Sequence, residues 1–289
     1  MLFNLAKPSE NFITDYSGAT SDDHVIQMWI HDKAPSTQKI YLRHVNNFLG
    51  FLGKAIANLT VADVYEYANT LSHLKPSTIK SRLYTIKSLL SFANKIGYTQ
   101  FNIGAVVKPP AVAVGIHQKA LKPGQIKALV DSTICDRDNL LIRLGYFSGM
   151  RASELSNLTF GNIHDDVITL IGKGSKERHI KLPQDLINEL LAQKTPDSTD
   201  NSPVFRSRYG GFLRRETISR IVKTAATAAG ESGKISAHWL RHSHATNAIE
   251  AGEDIKVISN TLGHSSPAFT MQVYVASKPD TSSAMRLSL

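Results

Sequence analysis

Val167-Ile168-Thr169-Leu170-Ile171-Gly172-Lys173-Gly174-Ser175-Lys176-Glu177-Arg178-His179-Ile180-Lys181-Leu182 is where the hydrophobic pattern of this chain leaves helical spacing. The first arm is short and β-branched, and His179-Ile180-Lys181-Leu182 alternates apolar with polar, as strands do. Gly172 to Glu177 lies between the arms, so the stretch reads as a hairpin with a glycine-rich tip. The sequence on either side reads as helix. The expected fold class is therefore mainly α with a small antiparallel β-hairpin or sheet, an α+β arrangement.

Upstream of the hairpin, helices are expected at about 122–132 and 137–149; downstream, at about 184–193, 215–229, 238–251, 254–262 and 267–275, with a polar loop from Thr195 to Ser202. Ser21-Asp22-Asp23 supplies an N-cap and acidic first-turn residues ahead of Val25, Met28 and Trp29. Pro35-Ser36 opens a second helix carrying Ile40, Tyr41, Val45, Phe48, Leu49 and Leu52. Thr60 and Asp63 form a capping-box signature before Val64, Tyr67, Ala68 and Leu71. Pro76-Ser77 begins a fourth helix with Leu83, Ile86, Leu89, Leu90 and Phe92 on its apolar side. Four short-looped helices make a compact domain. Pro109 and Pro110, flanked by small residues, forbid helix and mark a linker. The expected organisation is an extension at 1–20, a four-helix domain at 21–105, a linker at 106–120 and a second domain at 121–289.

The 289 residues carry 33 Lys and Arg against 24 Asp and Glu, a formal net charge of +9. The stretch to Lys119 holds 12 basic and 7 acidic residues, so the excess is shared by both halves and suits a polyanion held between two lobes. Cys135 is the only cysteine, which excludes an intramolecular disulfide and a cysteine metal cluster; in apolar-flanked sequence it is expected to be buried. No apolar run suits a signal peptide or a membrane span, and a soluble cytoplasmic protein is expected. Lys39 and Arg43, four apart on the second helix, and Lys80, Arg82 and Lys87 on the fourth lie away from the apolar sides. Each alone reads as a solvated charge; together they can track a phosphate backbone.

Five short features further along are each weak alone. Arg151 follows a glycine break at a helix start, with Glu154 three residues on. Lys173 has glycine on both sides at the hairpin tip. His238 and Arg241, three apart, leave one helix face, with His242 and His244 expected on other faces; the spacing does not suit a metal site. Leu262-Gly263-His264 ends one helix, and Ser266-Pro267 starts another. Tyr274 follows His264 by ten residues, and a lone late tyrosine would ordinarily be a packing residue.

Taken in order, Arg-x-x-Glu, Gly-Lys-Gly on a hairpin, His-x-x-Arg, Leu-Gly-His and a late Tyr resemble the tyrosine recombinase (phage integrase) family, over about Ser21 to Ser277. The resemblance implies an N-terminal core-binding (SAM-like) domain and a recombinase catalytic domain. It implies that Arg151 and Arg241 neutralise the scissile phosphate, with His238 and His264 as further donors or proton acceptors. Lys173 would protonate the departing 5′ oxygen, and Lys176 would hold backbone phosphate. Tyr274 would be the nucleophile, and Glu154 would orient the site. No metal, ATP or other cofactor is implied. The partners implied are a double-stranded DNA recombination site and a homotetramer on two duplexes, formed from a free monomer or dimer, with no membrane. The ten-residue interval to Tyr274 is one longer than in many members. Tyr98 and Tyr209 lack the preceding corner and are poor alternatives.

The short extension before the first helix points to the two-domain layout shared by Xer-type chromosome-resolving enzymes and mobile-element integrases. The motif surroundings lean towards the latter. A topoisomerase of type IB and a non-catalytic DNA-binding relative are the competing readings. Ala284, Met285, Leu287 and Leu289 read equally as an exchanged tail and as a frayed end.

Overall fold

The computed structural model describes residues 18–111, 120–172, 177–231 and 235–263. The chain divides into two compact units, Met1–Ala113 and Val114–Leu289. Lys173, Lys176, His264 and Tyr274 fall outside the described residues, as do the helix expected at 267–275 and the C-terminal tail.

The first unit is built from α1 (Asp22–Ile30), α2 (Pro35–Leu52), α3 (Val61–Thr70), α4 (Pro76–Lys95) and a short α5 (Ile103–Val106). Local chemistry sets the starts. The Ser21 side chain accepts from the His24 N–H, Thr60 and Asp63 form a reciprocal capping box, and Pro35 and Pro76 occupy first-turn positions where no N–H is needed. Trp29, Val45, Phe48, Ile56, Val64, Ile86 and Leu89 form the centre of the core. Trp29 stacks on Tyr41 with ring centroids 5.2 Å apart and donates from Nε1 to Ser88 Oγ at 3.1 Å. Tyr98 donates to the Asp22 carboxylate at 2.8 Å, which ties the end of this unit to its first helix. Val107, beyond the boundary expected at 105, is buried with this core.

The second unit contains α6 (Pro123–Asp131), α7 (Asp136–Ser148), α8 (Ala152–Ser156), α9 (Gln184–Leu191), α10 (Arg215–Ala228), α11 (Ala237–Glu250) and α12 (Ile255–Leu262). Its sheet has three antiparallel strands in the order β1 (Ile163–His164), β2 (Val167–Ile171), β3 (Glu177–Lys181). The hairpin expected from sequence is present, with Ile168 opposite Ile180 and Leu170 opposite Arg178; the added strand β1 pairs Ile163 with Ile168. Leu141, Leu144, Ile168, Ile180, Ile187, Ile218, Val222 and Leu240 lie at the centre of the core. The fold class expected from sequence, mainly α with a small antiparallel sheet, is the one observed. Cys135 departs from expectation: it is exposed, because it caps α7 outside the helix rather than facing the core. Among the described residues no helix is long and apolar enough to cross a membrane.

Candidate active site

The site starts with the end of α7. Gly149 adopts φ +60°, a left-handed conformation that turns the chain out of the helix, and a Cβ there would lie 2.6 Å from Leu262 Cδ2. Two residues on, Arg151 is the N-cap of α8 in an extended conformation, so it precedes the helix rather than sharing a face with Glu154. The two residues are nonetheless paired: Glu154 accepts from the Arg151 N–H at 2.6 Å and from its Nη1 at 2.9 Å. The side chain of Arg151 stays 45% exposed, so its remaining donors reach solvent or a ligand.

Helix α11 supplies the second arginine. Arg241 is only 2% exposed, yet its charge is well placed. Nη1 donates to the Gly149 carbonyl at 2.7 Å, and Nη2 donates to the Leu262 carbonyl, the last of α12, at 2.6 Å. Helix ends leave carbonyls without intrahelical partners and carry partial negative charge, so one guanidinium satisfies the ends of α7 and α12 together. Arg151 and Arg241, far apart in sequence, therefore converge on one junction.

His238 stands exposed one turn before Arg241. Its ring meets His242 edge-on at 4.3 Å, which corrects the expectation that His242 lies on another face: residues four apart on a helix are neighbours. His244 is turned away, with Nδ1 2.9 Å from the Tyr146 carbonyl oxygen. Burial, reinforced by the Arg241 charge and opposed by the Tyr146 carbonyl, holds the His244 imidazole below its ordinary pKa.

A residue that the sequence motifs do not single out completes the network. Arg178 on β3 donates from Nη2 to Glu154 Oε2 at 2.9 Å, and from Nη1 to Glu154 Oε1 at 3.3 Å and to the Leu262 carbonyl at 2.8 Å. The signal was available. Ile180 faces the core, and period two puts Arg178 on the same side of the strand, where a cation requires a partner. Burial lowers the Arg178 pKa against the raising effect of Glu154. For Glu154, burial favours the neutral acid, but the Arg151 N–H and the Arg178 charge outweigh it, and the carboxyl is held below its usual range. The network Arg151–Glu154–Arg178–Leu262 carbonyl–Arg241–Gly149 carbonyl contains three guanidiniums and one carboxylate, an excess of positive charge suited to a phosphate. Among the described residues, no group of three His, Cys, Asp or Glu is placed to hold a metal ion.

In the first unit, Arg43 and Lys39 are exposed on α2. Arg43 and Arg82 both act on His44, which burial and these charges hold below its ordinary pKa while its ring nitrogen lies 3.1 Å from Thr85 Oγ1. Lys80 lies 5.9 Å from the ring of Tyr84, which is 53% exposed, so an aromatic surface accompanies this basic face. Lys87 differs from the expected solvent-facing cation: its ammonium donates to the Val107 carbonyl and closes the end of the unit.

The chain matches the model of the phage integrase family over residues 119–280 and that of the phage integrase N-terminal SAM-like domain over residues 22–103. It is 30% identical to the tyrosine recombinase XerD of Corynebacterium glutamicum, covering 83% of this chain and 86% of that protein. It is likewise 30% identical to the XerD of Chlorobaculum tepidum, over 83% and 85% of the two chains. A lambda integrase (75–356) dimer bound to a COC′ core site matches with a TM-score of 0.74 at 17% identity, over 90% of this chain and 96% of that one. The Tn1549 transposon integrase in complex with circular intermediate DNA matches with a TM-score of 0.70 at 19% identity, over 93% and 100%. The mobile-element enzymes match in fold and the 30% matches are Xer recombinases, so both groups that share the two-domain layout are represented among the relatives.

Proposed function

This chain belongs to the phage integrase family of tyrosine recombinases, and on that premise we propose that it cuts and rejoins a specific duplex DNA site through a covalent 3′-phosphotyrosyl intermediate. The observation that carries this reading is the network that links Arg151 to Arg241 through Glu154, Arg178 and the Leu262 carbonyl, with the Arg151 side chain left partly exposed. A phosphodiester exchange builds negative charge on the non-bridging oxygens, and fixed guanidinium forks stabilise it.

In this reading the Tyr274 hydroxyl oxygen forms a bond to phosphorus, and the bond from phosphorus to the 5′ oxygen breaks. His238 or His264 takes the tyrosine proton, and Lys173 delivers a proton to the departing oxygen. One phosphodiester replaces another, so the bond energy is retained and rejoining needs no ATP. The guanidiniums supply the charge neutralisation that metal ions supply in other phosphoryl transfers.

Lys39, Arg43, Lys80 and Arg82 are assigned to the DNA backbone in the first unit, and Lys176 in the second. The domain organisation proposed is the core-binding domain, a linker and the catalytic domain from Leu121. A homotetramer on two duplexes in the cytoplasm follows from the same reading. It is supported by the solved lambda integrase tetramer bound to a Holliday junction, which this chain resembles in fold. Topoisomerase activity is not favoured, because the relatives are recombinases. The test is capture on a nicked duplex that strands the covalent intermediate: the wild-type chain becomes attached to DNA, and failure to attach on any site it protects from footprinting rejects the reading.

A further inference from the structure

We infer that Arg178 is a positioning residue that sets the aim of both phosphate-binding arginines; the inference rests on the recombinase reading above. Arg151 and Arg241 have separate anchors, and Arg178 touches both. Arg151 Nη1 is held by Glu154 Oε1, and Arg178 spans that carboxylate with Nη1 on Oε1 at 3.3 Å and Nη2 on Oε2 at 2.9 Å. Held at both oxygens, the carboxylate cannot rotate about its terminal bond, so Arg151 meets an acceptor of fixed direction. Arg241 Nη2 is held by the Leu262 carbonyl, and Arg178 Nη1 donates to the same oxygen at 2.8 Å. A carbonyl oxygen has two lone pairs and accepts both.

The chemistry of this clamp calls for arginine. A planar fork with donors on two nitrogens spans a carboxylate and a carbonyl at once; an ammonium is a point donor and serves one of them well. The Gly263 backbone makes room for it: a Cβ at Gly263, which has φ +64°, would lie 2.6 Å from Arg178 Nη1. Arg178 also belongs to β3, the strand that follows Lys173 and Lys176 in sequence. A single side chain thereby joins the hairpin strand, the start of α8 and the end of α12. Catalytic geometry is sensitive to such supports, because misplacement by about 1 Å costs on the order of 10²-fold in rate.

A residue that only stitched β3 to the helices would weaken folding, and with it DNA binding and cleavage in proportion. A positioning residue lowers the chemical step while duplex affinity stays near wild type. The probe is a labelled nicked duplex built on the sequence that the full-length chain protects in footprinting of DNA flanking its gene. Covalent adduct formation is timed with protein in excess, and affinity is measured on the intact duplex. Arg178→Gln is expected to slow adduct formation by about 10- to 100-fold, with affinity within about threefold of wild type. Arg178→Lys keeps the charge and guards against misfolding; it is expected to fall between the two. Arg178→Gln with Glu154→Gln is expected to lose less than the product of the single losses, since both act partly through Arg151. Wild-type rates in folded Arg178→Lys and Arg178→Gln, or equal losses of affinity and rate in both, would overturn the inference. Absence of an adduct with the wild-type chain would instead reject the recombinase reading, and the inference with it.

Discussion

Arg178 and Arg241 donate to one acceptor: Nη1 of the first and Nη2 of the second lie 2.8 Å and 2.6 Å from the carbonyl oxygen of Leu262. That carbonyl ends α12 and immediately precedes Gly263-His264, so the corner expected to present His264 is gripped from two sides. Two cations around one carbonyl are tolerable because Glu154 balances the Arg178 side of the pair.

Arg241→Lys tests the grip from the α11 side. Lysine presents a single ammonium, so either the Gly149 carbonyl loses its donor or the Leu262 carbonyl is left to Arg178 alone, at a cost of about 1–3 kcal/mol. The cleavage rate is expected to fall further, by about 10²- to 10³-fold, while duplex affinity holds. Urea unfolding and adduct kinetics measured on the same preparation separate the two losses. A rate that fell only as far as the folded fraction would remove Arg241 from the chemistry.

Gly149→Ala addresses the turn that carries the chain from α7 to Arg151. Alanine at φ +60° is strained, and its Cβ would meet Leu262 Cδ2 at 2.6 Å. A loss of about 1–3 kcal/mol is expected from the urea midpoint, with reduced cleavage because Leu262 also positions Arg241. Unchanged stability would show that α12 yields without cost.

How much of this is legible in the sequence depends on how local the signal is. Ser21, Thr60 with Asp63, Pro35 and Pro76 each announce a helix start through bonds made within one turn, and all four act as read. β1 is not legible, because two residues give no alternation and the strand exists only through its pairing with β2. Arg178 escapes a motif-based reading because its partners come from α8 and α12, distant in sequence. Lys87 reads as a DNA-facing cation because nothing near it in sequence reveals that the Val107 carbonyl folds back onto it. Arg151 and Arg241 are legible only through the order of the motifs; that Arg241 bonds the Gly149 carbonyl, two residues before Arg151, is a tertiary fact.

Asp63 gives a pH test of the first unit. Hydrogen bonds from Lys54 first, then from the Thr60 backbone and hydroxyl, lower its pKa from 3.8 to about 2. A depressed folded pKa means stability that is fully present above pH 3.8 and lost as pH falls towards 2. Asp63→Asn is therefore expected to lower the Tm of the full chain at pH 6, with the difference from wild type shrinking as pH falls from 3.8 through the folded pKa. A difference independent of pH would assign the effect to packing.

Binding to duplex DNA separates the basic residues of the first unit. Replacing Lys39, Arg43, Lys80 or Arg82 with Ala is expected to flatten the plot of log affinity against log salt by about 0.9 for each phosphate that is no longer neutralised. Lys87→Met is expected to leave that slope unchanged and to lower stability, since it removes the donor to the Val107 carbonyl. A flattened slope for Lys87→Met would return it to the interface.

In the proposed reaction one tyrosine, Tyr274, becomes joined to DNA at the phosphate that the arginines neutralise. The most direct measurement is a denaturing gel of the full-length protein on the nicked duplex, comparing wild type with Tyr274→Phe. A covalent protein–DNA band is expected for wild type and none for Tyr274→Phe, with duplex affinity retained. A covalent band that persists in Tyr274→Phe would contradict the proposed reaction.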